Sequence, residues 1–189
     1  MRRAILLLLL SVTLTPAFGP SVEERLPVCL GCHGASGVSE KPNVPSLGGQ
    51  PAEYLLIQLY LFREKLRRSE MMKAMANDLT DADLHTLSDR LSLLTPPPAT
   101  GAALTGQELE QGRDLVTKYR CGSCHQANLS GHDQNPRLAG QREDYLLRAL
   151  RAYKSNRRPG YDPAMSDATQ EVEDTDIPVL ARYMSQLGE

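Results

Sequence analysis

The sequence predicts an all-α protein made of two tandem, homologous domains joined by a proline-rich linker. Three observations carry that expectation. The chain is written twice: PSLGGQPAEYLL (45–56) aligns with PRLAGQREDYLL (136–147), and LTDADLHTLSDRLSLL (79–94) aligns with VEDTDIPVLARYMSQL (172–187). The offset drifts only from 91 to 93, far too long a period for a solenoid. Apolar residues recur at helical spacing, and no stretch sustains the alternation of a strand. Finally, CLGCH (29–33) and CGSCH (121–125) stand at equivalent places in the two copies and use all four cysteines of the 189-residue chain.

In chain order, residues 1–19 read as an export signal. Arg2 and Arg3 precede a leucine-rich run from Ala4 to Leu14, and small residues follow. A membrane-crossing helix needs about 20 apolar residues, and this run is much shorter. Thr15 and Ala17 suit the −3 and −1 positions of a cleavage site, with Gly19 as the alternative. The first domain then spans 20–94. Pro51 suits the first turn of a helix carrying Leu55, Leu59, Phe62 and Leu66. Thr80, with Asp83 three residues on, opens a helix whose stripe is Leu84, Leu87, Leu91 and Leu94. The linker, 95–105, begins TPPPA and should be stiff and extended in its first half. The second domain spans 106–189. Thr105 and Glu108 cap a helix through Leu109, Val116 and Tyr119. A second helix carries Tyr145, Leu146, Leu150 and Tyr153, and a third Ile177, Leu180, Met184 and Leu187.

Composition narrows the function classes. Loss of Arg2 and Arg3 takes the formal charge from −2 to −4, and no basic stripe or aromatic interleave suggests nucleic acid. There is no Trp and there are only two Phe, which is thin for two small cores. Domains of this size bury little of their own surface and often need a staple. Disulfides between Cys29 and Cys32 and between Cys121 and Cys124 would suit an exported chain, but leave His33 and His125 without a reason. Zinc sites with paired C-x-x-C motifs space them by roughly 15–20 residues, whereas 88 residues separate Cys32 from Cys121. C-x-x-C-H is the attachment signature of c-type haem: two thiols spaced for two vinyl groups, and a histidine placed to ligate the iron. Two such motifs imply two haem c groups, held covalently by Cys29, Cys32, Cys121 and Cys124, with His33 and His125 as axial ligands.

The sixth ligands are sought among methionines. Met165 lies nine residues before Asp174, and Met72 lies nine before Asp81. The spacing from His33 to Met72 is 39 and from His125 to Met165 is 40. Met72 and Met165 are therefore the matching pair, with Met75 or Met71 as alternatives in the first copy. A thioether opposite an imidazole leaves no open iron position and raises the reduction potential, which suits electron transfer rather than catalysis. Pro45 and Pro136 open P-x-L-x-G segments whose backbone carbonyls could fix the ligating histidines. Leu47 and Leu138 would then pack on the haem face. His85 and His132 read as surface residues.

These residues resemble the dihaem cytochromes c4, tandem class I cytochromes c. The likeness rests on CLGCHG, CGSCHQ, the two G-Q-x-x-x-Y-L segments, and Met72 and Met165 ahead of LTDAD and VEDTD. It covers almost all of 26–94 and 106–187. It implies two class I cytochrome c domains related by a pseudo-twofold, working as a periplasmic electron carrier and not as an enzyme. The implied partners are a membrane oxidase, a cytochrome complex or a dehydrogenase, with peripheral association at the inner membrane. Alternatives are the cytochrome subunit of an oxidoreductase, as in flavocytochromes that oxidise sulfide, or a haem enzyme with one labile sixth ligand. The acidic mature chain suggests a partner with some positive surface. The resemblance also implies that Gln50, Tyr54, Gln141, Tyr145, Arg67 and Arg157 could meet haem propionates. In this fold a glycine of the N-terminal helix admits an aromatic of the C-terminal helix. Gly112 and Tyr183 fill those places in the second domain, but the first has Pro20 and Arg90, and Pro27 just before Cys29. A short or absent first helix is expected there, with a looser domain and a more exposed haem.

Overall fold

The computed structural model describes residues 20–99, 101–158 and 163–188; the export signal expected over 1–19 lies outside them. The described residues form helices α1 (Val22–His33), α2 (Ala52–Arg63), α3 (Glu70–Ala76) and α4 (Asp81–Ser92), then α5 (Gly106–Lys118), α6 (Gly122–His125), α7 (Glu143–Lys154), α8 (Ala164–Gln170) and α9 (Asp176–Ser185). They contain no strand, only an isolated bridge between His132 and Asn135. The all-α expectation holds, and the second set of helices repeats the first.

Both predicted capping boxes form. Thr80 and Asp83 satisfy each other's backbone N–H at the start of α4, and Thr105 and Glu108 do so at α5. Leu84, Leu87 and Leu91 are buried along α4 as the stripe requires, as are Ile177, Leu180 and Met184 along α9. Leu66 departs from expectation. Helix α2 stops at Arg63, Lys65 takes a positive φ of 61°, and Leu66 is 55% exposed.

Of the two expectations for the first helix, short or absent, the structure has the first. Ser21 and Glu24 form a third capping box, and α1 runs unbroken through Pro27 into the CLGCH motif. Pro27 removes one donor from the helix ladder, yet the cap at its start and the motif at its end hold the turn. The helix is short on its N-terminal side, as anticipated. It meets α4 through Val22 and Leu26, which pack against the small core containing Leu84 and Leu87, and through an exposed ion pair, Arg90 to Glu23 at 3.5 Å. At the matching place in the second half, a Cβ on Gly112 would overlap the Tyr183 ring, so α5 and α9 approach closely. The cores differ accordingly. Leu115, Leu129, Leu146, Leu150, Ile177 and Leu180 belong to one large cluster in the second half, whereas the first clusters only Phe62, Ala76, Leu79, Leu84 and Leu87.

The linker is not a free spacer. Pro97 is fully buried. A Cβ on Gly48 would strike the Thr95 carbonyl, one on Gly140 would strike the Pro97 carbonyl, and Gly49 lies against the Pro96 ring. The proline run therefore passes directly over both P-x-L-x-G segments.

The halves meet through a reciprocal clasp. Gln50 donates to the Arg137 carbonyl at 2.9 Å and accepts from the Arg137 N–H at 3.0 Å. Gln141 donates to the Ser46 carbonyl at 2.9 Å and accepts from the Ser46 N–H at 2.9 Å. Gln50 matches Gln141 and Ser46 matches Arg137 in the repeat, so one contact is made twice, as a pseudo-twofold demands.

Candidate haem-binding sites

Each C-x-x-C-H motif ends with its histidine buried, His33 and His125 both being 7% exposed. A helix places each one: α1 carries Cys29 to His33 as its last turn, and α6 carries Gly122 to His125 as one short turn behind Cys121. The chain then reverses, at Gly34 with φ 88° and at Gln126 with φ 67°. That reversal brings the P-x-L-x-G segment back beneath the ring. His33 Nδ1 donates to the Pro45 carbonyl at 2.8 Å, and His125 Nδ1 donates to the Pro136 carbonyl at 2.8 Å. A carbonyl can only accept, so Nδ1 carries the proton and Nε2 keeps a lone pair. Burial pushes the pKa of both imidazoles down, against the raising effect of the carbonyl contact. Both rings are thus held neutral and in the metal-binding tautomer.

The four cysteines are free thiols, with no disulfide. Cys29 and Cys121 are half-buried, and burial raises the pKa of both; Cys32 and Cys124 are exposed. In each motif one thiol thus points inward and one lies at the rim. Among the described residues no three His, Cys, Asp or Glu side chains gather to cage a metal ion.

The methionines differ in burial. Met165 packs against the larger core and Met72 against the smaller, both half-buried. Met71 and Met75, the alternatives in the first copy, are 65% and 43% exposed. Leu47 and Leu138 are half-buried, His85 is exposed, and His132 pairs with the neighbouring Asp133.

A cluster of cations and phenols lies where the halves meet. Arg67 donates to the Tyr145 hydroxyl at 3.1 Å and also to Gln58. Arg158 donates to the Tyr54 hydroxyl at 3.2 Å and to the Tyr145 hydroxyl at 3.2 Å. The match for Arg67 is therefore Arg158, not the expected Arg157. Arg157 is exposed and bonds Ser155. The repeat carried this signal, since the offset of 91 that relates Tyr54 to Tyr145 also relates Arg67 to Arg158. Burial pushes Tyr54 up to about 12. Burial also resists ionisation of Tyr145, but Arg158 and Arg67 together pull it down. Arg158 is 9% exposed, and no carboxylate pairs with it among the described residues. A buried guanidinium without an anion is costly. The site suits a ligand that brings carboxylates, as haem does with its propionates.

The residues present therefore fit two haem c groups: a thiol pair, a neutral imidazole with its lone pair free and an inward methionine, each twice, with the half-buried Arg67 and the buried Arg158 where the halves meet. Comparison with known proteins agrees. The cytochrome c family model matches residues 109–188. Cytochrome c4 of Thiocapsa roseopersicina is 32% identical over 174 residues, 86% of this chain and 88% of the relative. A thiosulfate dehydrogenase electron acceptor of Thiomonas intermedia is 30% identical over 157 residues, 78% of this chain and 72% of the relative. The crystal structure of reduced cytochrome c4 from Pseudomonas stutzeri superposes with a TM-score of 0.77 at 26% identity, covering 89% of this chain and all of that one. Duplicated fold, paired sites and relatives converge: the chain belongs to the cytochrome c4 family of dihaem electron-transfer proteins.

Proposed function

We propose that this chain is a periplasmic electron carrier in which Cys29, Cys32 and His33 hold one haem with Met72, and Cys121, Cys124 and His125 hold the other with Met165. Bound haem c supplies a one-electron iron couple in each half. The chain's residues do the rest. The histidines present Nε2 in a fixed tautomer, the methionine thioethers would favour the ferrous state, and Arg67 and Arg158 would neutralise propionates. The domain division that follows is 20–94 and 106–189 about the linker 95–105, after removal of 1–19. The observation that carries this reading is the twofold repetition of the histidine-to-proline-carbonyl bond. A second reading, service as the cytochrome subunit of a dehydrogenase, is favoured by likeness to a relative named as a thiosulfate dehydrogenase electron acceptor.

A potentiometric titration of the purified protein, followed spectroscopically, tests the proposal. Two low-spin haem transitions with histidine–methionine signatures are expected. A single haem, or rapid carbon monoxide binding by the reduced native protein, would overturn it. Co-purification with a dehydrogenase would decide between free carrier and subunit.

A further inference from the structure

The two halves repeat in fold but not in surface. Beside Met72, helix α3 exposes Met71 (65%) and Met75 (43%), one turn apart on the same face. Leu66, 55% exposed, stands in the preceding turn. The repeat places Ala164 and Ala168 of α8 where Met71 and Met75 stand, so α8 does not repeat this pair of exposed methionines. Scattered exposed apolar residues are ordinary. Here three large ones fall within ten residues of sequence, beside an inward methionine.

Charge differs in the same place. Residues 63–73 carry five cations (Arg63, Lys65, Arg67, Arg68 and Lys73) against Glu64 and Glu70, in a chain whose net charge is negative. Arg63 is used by Glu64 and Asp81, Lys73 by Glu70, and Arg67 by Gln58 and Tyr145. Lys65 and Arg68 are exposed and engaged in no ion pair among the described residues. In the second half Asn156 and Pro159 stand where Lys65 and Arg68 do, and Arg157 is exposed and bonds Ser155. Lys154 donates to the Gln170 and Val172 carbonyls, and Arg158 is buried.

We propose that the α2–α3 turn and the outer face of α3 form the docking surface for a redox protein with an apolar contact centre and an acidic rim. Electrons are then exchanged with that partner through the first half and not the second. This rests on the carrier reading above. An apolar centre with free cations at its edge matches the usual anatomy of a protein contact, and the rim charges set orientation and encounter rate. The expectation of a positively charged partner, drawn from net charge alone, is reversed locally. On docking, the partner gives up one electron as the first iron takes it, with no bond made or broken. Met71 would lie one residue from the proposed axial ligand.

The test uses the whole haem-loaded protein and a flavodoxin hydroquinone, whose flavin edge has an acidic rim, as a probe. Stopped-flow reduction is compared for the parent, Lys65→Glu/Arg68→Glu, Met71→Ala/Met75→Ala, and a control, Arg113→Glu/Arg151→Glu, whose charges are exposed on α5 and α7. The charge variant should be slower by about tenfold at low ionic strength, and the difference should shrink with salt. The methionine variant should be slower by about threefold, and the control should change by less than about twofold. As a readout independent of rate, carbodiimide cross-links to flavodoxin should map to Lys65 or Lys73 rather than Lys118 or Lys154. Equal rates for all variants, cross-links on the second half, or no salt-dependent reaction would overturn the proposal. So would binding to phosphatidylglycerol vesicles that needs Met71 and Met75 while the flavodoxin reaction ignores them, because the face would then be a membrane contact. Dithionite spectra of every variant separate the two readings. Loss of haem or its low-spin signature is a failure of the carrier assignment, not of the docking face.

Discussion

Met72 and Met75 sit one turn apart, yet only Met72 turns inward. Substitution at each should separate ligand from surface. Met72→Ala and Met165→Ala should each abolish about half of the near-infrared thioether-to-ferric absorbance and admit carbon monoxide at that haem. Met75→Ala should leave the spectrum of the parent. Gly112 gives a packing test: Gly112→Ala puts a methyl into the Tyr183 ring and should destabilise the second half by about 1–3 kcal/mol, read as a lowered thermal transition. Residues of this kind were largely legible in the sequence. A histidine that ligates needs an acceptor for its other nitrogen, and a proline eleven or twelve residues on supplied one in both copies. Arg158 was misread as Arg157, although the offset that relates Tyr54 to Tyr145 also relates Arg67 to Arg158.

Helices α1 and α5 do the same task with different means. Helix α5 seats a glycine against an aromatic and joins a large core. Helix α1 contains Pro27 and sets only half-buried side chains, Val22 and Leu26, against a small core, with an exposed ion pair to α4 worth about 0–1 kcal/mol beside them. The first half should therefore lose structure before the second. In hydrogen exchange on the haem-loaded protein, amides of α1 should exchange faster than those of α5, and the reverse order would refute the packing argument. The sequence held a start signal for α1 that went unread, Ser21 followed three residues on by Glu24. Its proline misled, because a missing donor suggests a break unless cap and motif are weighed together. Leu66 misled in the other direction, since apolar period alone cannot show that α2 ends in a left-handed turn at Lys65.

The halves are joined at the scale of the molecule by the glutamine clasp. Gln141→Ala would leave the Ser46 N–H buried without an acceptor, at a cost of about 1–3 kcal/mol. In calorimetry a single broad transition should then split into two, as the halves cease to stabilise each other. The duplication and the equivalence of Gln50 with Gln141 were plain in the sequence. Their mutual grip was not, because each glutamine bonds backbone 87 or 95 positions away, and no local pattern encodes such a partner. The buried proline run carries a further consequence. Because Pro97 crosses the seam against Gly140 while Pro96 rests on Gly49, the connection works as part of the joint. The protein is in effect a homodimer made unimolecular: nicking the backbone beyond Ala99 would turn its quaternary-like geometry into one sensitive to dilution, whereas the intact chain keeps its two redox centres in register at any concentration.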